Sequence, residues 1–213
     1  MKPRAAASSK LVAHFRHLSG ASKCPSSIAA KAQYLILKPV GPNVAAARAL
    51  RSQFKRNWRQ HWACFTDLTD HGSVSEFVTV LERANRLRIW EYRGLAEEHI
   101  PYVLATLADF PVANSIPDPN PPRTPQRQHW LRFWFEGAAR TLEGRWNATA
   151  SPPGLMRADM IDPGTGKRPS KAAVVNVIGI PLTASFLGWS VSPGKFVVDE
   201  MADFFKNHPK LFI

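Results

Sequence analysis

The first 66 residues of this 213-residue chain contain no aspartate or glutamate. The first carboxylate is Asp67, and 12 of the 28 Lys/Arg residues precede it. Later residues therefore hold 16 basic and 16 acidic groups, so the formal charge of +12 belongs to the first third. An acid-free third cannot neutralise its cations internally. It must borrow carboxylates from the rest of the fold, leave the cations in water, or offer them to an acidic partner. With 45% apolar and 21% charged residues the whole is a globular composition, long enough to bury a core.

Residues 1–27 are rich in Ala, Ser and basic residues. They lack the continuous apolar run of a secretory signal and read as a transit-peptide-like segment for the mitochondrial matrix. Leu11, Phe15 and Leu18 lie at helical spacing, so 10–18 is expected to form a first helix. A disordered basic arm is the alternative. Cys24 and Cys64 give no disulfide framework and read as free thiols.

Further helices are expected over 28–37, 44–62, 74–94 and 97–110. In 44–62, Asn43 is a plausible N-cap, and Ala46, Leu50, Phe54 and Trp58 form an apolar stripe. Arg48, Arg51, Lys55 and Arg59 recur on another face as a basic ridge, to be weighed against an ordinary solvated face. Ser73-Val74-Ser75-Glu76 fits a capping box that opens the next helix. Residues 111–125 hold six prolines and read as a stiff, extended linker. In 126–145, Trp130, Trp134, Ala138 and Leu142 share one helical face. Residues 172–194 carry no charge over 23 positions. They suggest a buried or membrane-apposed segment, with a bilayer span as the less favoured reading. A short helix is expected over 196–206. The fold class expected is mainly α: an N-terminal three-helix bundle (28–110, with 1–27 as its first helix), the linker, and a helical, apolar, aromatic-rich interaction region over 126–213.

No catalytic constellation stands out, and the chain reads as a non-enzyme with no cofactor of its own. His61, Cys64, Asp67, Asp70 and His71 could ligate a metal, but their spacing fits no zinc pattern. Gly164-Thr165-Gly166-Lys167 lacks the first glycine and the final Ser/Thr of a phosphate loop, and reads as a turn.

Residues 10–95 resemble the LYR-motif family of small mitochondrial proteins. Leu11-Val12-Ala13-His14-Phe15-Arg16 stands where that motif opens, with His14-Phe15-Arg16 in place of Leu-Tyr-Arg. The run from Arg48 to Asn57 is similar to the family's second helix, and Leu68-Thr69-Asp70 with 74–94 to its loop and third helix. Residues 111–213 have no counterpart there. The resemblance implies a three-helix fold that binds acyl carrier protein, with an acyl-phosphopantetheine chain entering between the helices. Arg16, Arg48, Arg51 and Lys55 would contact the carrier. It also implies an accessory subunit or assembly factor of a respiratory-chain or ATP-synthase type complex at the inner membrane. A mitochondrial ribosomal or other RNA-binding protein is the alternative, since acid-free basic arms suit phosphates. RNA-binding proteins of that kind spread their charge along the chain, whereas residues 67–213 are neutral.

Overall fold

The computed structural model describes residues 2–4, 14–16, 43–92, 94–112, 127–136, 154–164, 169 and 173–209. They form a mixed α/β fold of five helices and a four-stranded antiparallel sheet. This corrects the expected mainly α class.

Helix α1 (Val44–Arg56) starts where Asn43 Oδ1 accepts the Ala46 amide at 3.0 Å. It breaks at Asn57, and α2 (Trp58–Leu68) follows, so the expected single helix is two. Helix α3 (Val74–Arg86) opens with the expected capping box: Ser73 Oγ accepts the Glu76 amide at 3.2 Å, and Glu76 Oε2 accepts the Ser73 amide at 2.8 Å. Two 3-10 turns, Ile89–Glu91 and Glu97–His99, lead into the short α4 (Ile100–Ala105). Helix α5 (Lys195–Asn207) closes the chain and packs on α3.

Two short strands, β1 (Lys2–Arg4) and β2 (His14–Arg16), pair antiparallel. His14–Arg16 is therefore strand where helix was expected. The rest of that stretch, and all of 28–37, lie outside the described residues. The main sheet runs β3 (Asp109–Phe110), β4 (Trp130–Glu136), β5 (Gly154–Met160), β6 (Val174–Ile180), each beside the next. Trp130 lies opposite Met160, and Trp134 opposite Met156.

The helix expected over 126–145 is thus β4 where it is described. Spacing of four does not discriminate, because residues four apart share a face in a helix and in a strand alike. Both faces of β4 carry large aromatics, and only Arg132 interrupts the apolar run from Trp130 to Phe135, so the alternation is weak. Leu131, Phe133 and Phe135 join Leu155 and the helices in one core, while Trp130 and Trp134 pack with Met156, Ala158 and Met160 in a second cluster on the opposite face. The uncharged stretch 172–194 is likewise not helical: it holds β6 and a 3-10 turn, Ser185–Gly188. Among the described residues no helix is long and apolar enough to cross a membrane. Of the proline-rich 111–125, only Pro111 and Val112 are described.

The main core contains Phe54, Phe65 and Phe77, each fully buried, and draws on α1 to α5 and the sheet alike. Each such ring contributes about 1.5–3 kcal/mol by leaving water. Segments before and after the proline-rich stretch therefore fold together.

Candidate functional site

Helix α1 buries Ala47, Leu50 and Phe54. Spacing of three and four puts these on one side and pushes the cations to the other. Arg48, Lys55, Arg56 and Arg59 are exposed. The row from Arg48 to Arg59 spans roughly 16 Å at helical rise. Aromatic rings hold two of its cations: Lys55 Nζ sits 5.7 Å from the Phe205 centroid, and Arg59 Cζ 5.1 Å from the Trp58 ring. None of the salt bridges among the described residues involves Arg48, Lys55, Arg56 or Arg59.

Arg51 departs from the expected ridge. It is half-buried, and its Nε has no hydrogen-bond partner among the described residues. Burial lowers its pKa, and the nearby Glu91 carboxylate opposes that. Glu91 itself is gripped by Arg88 Nε at 3.1 Å, and its backbone carbonyl accepts the Asn43 amide at 3.2 Å. Arg51 thus faces the seam between α1 and the 89–91 turn. Arg56, absent from the sequence-derived set because it follows Lys55 directly, takes its place on the exposed face. Arg16 lies in β2, opposite Lys2.

Beneath the α1–α2 break sits a polar knot that spacing did not reveal. Asn57 Nδ2 donates to Glu97 Oε1 at 2.8 Å, and His61 Nε2 contacts the same oxygen at 3.2 Å. A carboxylate only accepts, so His61 carries its proton on Nε2. The imidazole is fully buried between Phe54 and Phe186, with ring centroids 5.0 and 5.3 Å away. Burial holds its pKa below the usual value against the pull of Glu97. The hydrogen bond from His61 keeps the Glu97 carboxyl acidic despite partial burial, and Asn57 and Arg56 add to this. The knot ties Asn57, the residue between α1 and α2, and the first turn of α2 to the 97–99 turn. Only the link across 36 residues makes it, so no local signal could have found it.

Of the remaining candidates, Asp67, Asp70 and His71 line one surface pocket together with Ala63, Thr66 and Trp189, whereas Cys64 is buried. Cys64 is a buried free thiol pushed up to about 12, chiefly by burial. Asp67 is exposed, and His71 Nε2 stands 3.7 Å from Asp70. Among the described residues no three His, Cys, Asp or Glu side chains converge on a metal position. Gly164 adopts φ +67° and donates its amide to Asp162 Oδ1 at 2.9 Å, an Asx-type turn. Residues 165–168 of that loop lie outside the described residues.

Among the described residues, the predicted basic positions Arg48, Lys55 and Arg59 come together with Arg56 on one exposed helical face. Set against known proteins, the chain matches no family model, and neither the curated proteins nor the solved structures give a significant match.

Proposed function

We propose that this chain is a non-catalytic docking subunit, an accessory or assembly component of a mitochondrial multiprotein complex. In this reading an acidic partner protein seats on the α1–α2 ridge. The observation that carries it is the exposure of Arg48, Lys55, Arg56 and Arg59 on α1 and α2, with none of them in a salt bridge among the described residues. Guanidinium groups there suit paired hydrogen bonds to carboxylates. Ring contacts under Lys55 and Arg59 restrict both side chains before any partner arrives, which lowers the ordering cost of association. The Ala/Ser/basic composition of residues 1–27 supports the matrix address.

An acyl carrier protein or an acidic neighbouring subunit meets the charge requirement. A cavity lined by Ala84, Ile89, Trp90, Leu95, Ile100, Val103 and Leu104 measures about 10 Å³. That is no more than a water position and far short of an acyl chain. The support is therefore for docking on the outside of the helices. RNA is the competing ligand. Against it, Trp58 is only 7% exposed and already covered by Arg59, so it offers no free face for stacking a base.

The test is affinity purification of the tagged native protein in mild detergent, with mass spectrometry of what co-migrates, beside the double variant Arg48→Glu/Arg59→Glu. Recovery of an acidic protein by the wild type, weakened at least tenfold in the variant, is expected. Recovery of RNA, lost with nuclease, would sink the reading, as would a partner indifferent to both reversals.

A further inference from the structure

Strand β6 reads Val-Val-Asn-Val-Ile-Gly-Ile and stands at one edge of the main sheet. None of its seven residues is buried, whereas five of seven are buried in the neighbouring β5. A strand with β-branched apolar residues toward both faces is normally an interior strand. Edge strands usually carry lysine or proline that blocks further pairing. β6 contains neither, and Pro181 comes only after it ends.

Two local features interrupt the regular ladder near its Val174 end without ending it. Asp159 lies opposite Asn176 and Met160 opposite Val174, so Val175 is an extra, bulged residue. The Val177 amide is taken by the side chain of its own neighbour, Asn176 Oδ1, at 2.9 Å. The bulge does not turn Val175 inward: the side chain is 56% exposed. Ile161, 60% exposed, lies at the same end of the β5–β6 ladder, where its amide bonds Ala173 O at 2.7 Å. Two large apolar side chains thus stand exposed beside a strand edge that no other described strand pairs with.

We infer that a second copy of this chain pairs antiparallel with β6, joining two four-stranded sheets into one and covering Val175 and Ile161. Charge favours a second copy over a charged partner. No charged residue falls within 172–194, and residues 67–213 are balanced, so two such edges meet without repulsion. The surplus of +12 lies in the first 66 residues, which leaves the ridge to a different, acidic partner. An antiparallel pair is self-complementary about a two-fold axis, the commonest closed symmetry. A strand edge with two apolar side chains is a small interface, so the dimer dissociates on dilution.

Sedimentation velocity of the full chain from about 1 to about 100 µM, beside Val175→Lys and Ile161→Lys, tests this by mass action. The wild type should pass from monomer to dimer. Each lysine should raise the dissociation constant at least tenfold and leave the thermal midpoint unchanged at about 1 µM, where the wild type is also monomeric. Hydrogen exchange on the wild type alone decides the matter if a variant fails to fold: β6 amides should gain protection as concentration rises. A monomer throughout overturns the proposal. So does a dimer that both lysines leave intact, or β6 protection that arises only when another protein's extended peptide is added.

Discussion

Arg127 is the side chain whose loss tests the packing logic most directly. It is 1% exposed, yet it is a guanidinium. Nε donates to Thr69 O at 2.6 Å, Nη1 to Glu76 Oε1 and to Pro111 O at 2.8 Å each, and Nη2 to Glu76 Oε2 at 2.9 Å. The cation also lies 5.5 Å from the Phe110 ring centroid. One side chain therefore ties the C-cap of α2, the first turn of α3 and the chain just after β3. Arg127→Met keeps the volume and removes every donor. Breaking a buried ion pair from one side costs about 3–5 kcal/mol, and an orphaned buried carbonyl about 1–3 kcal/mol. Glu76 is 28% exposed and can regain some water, which argues for the lower end, about 4 kcal/mol in total. In a chain of this size that is a fall in Tm of roughly 8–16 °C.

Urea unfolding followed by circular dichroism measures the loss, and a double-mutant cycle with Glu76→Gln isolates the pair. A loss below about 1 kcal/mol, or a strictly additive cycle, would refute the reasoning. The acid limb supplies a further reading. Burial alone would raise the Glu76 pKa, but Arg127 and Ser73 together bring it below the usual carboxylate value. A folded pKa below the unfolded one adds stability that is complete above about pH 4.5 and is lost as pH falls through the folded value. Arg127→Met should flatten that dependence.

In a Cys24→Ser background, Cys64, with its thiol pushed up to about 12, should resist a thiol-specific disulfide reagent near pH 8 in the native state and react at once in urea; prompt native reaction of that variant would contradict its burial. His61 has a folded pKa below its ordinary value, so its contribution is complete above about pH 6.5 and fades as pH falls. The urea midpoint should therefore drop between about pH 7.5 and about pH 5.5, more in the wild type than in His61→Phe, and equal drops would reject this assignment. Gly72→Ala would place a Cβ 2.2 Å from Thr69 Oγ1, which already donates to Phe65 O at 2.7 Å. A loss of about 1–3 kcal/mol is expected, partly recovered by adding Thr69→Ala, and a neutral Gly72→Ala would refute the close approach of Gly72 to the Thr69 hydroxyl.

Local chemistry was legible wherever the determining groups are close in sequence. Asn43 and the Ser73–Glu76 box announce the starts of α1 and α3, because a cap needs only partners three residues apart. Arg48 and Lys55 were readable as exposed because Leu50 and Phe54 fix the buried side of α1, and Arg59 because Trp58 was read on the apolar stripe beside it. Arg51 was not, because its neighbour Glu91 arrives from a turn 40 residues later. The same distance hid the Asn57–His61–Glu97 knot, which had no local sign.

The sheet was decided by tertiary structure alone. Trp130 and Trp134 lie four apart, which suits a helix and a strand equally, and the aromatics on both faces of 130–135, broken only by Arg132, blur the alternation that would separate the two. Pairing with β5 settles β4 as a strand, as Trp134 meets Met156 and Trp130 meets Met160. β6 follows because β5 offers it the next ladder. Spacing along the chain determines caps, helix faces and where charge accumulates, since those depend on neighbours within a turn. Strand pairing and a buried arginine with three distant acceptors depend on backbone groups that meet only once the chain has folded, so tertiary structure alone decides them.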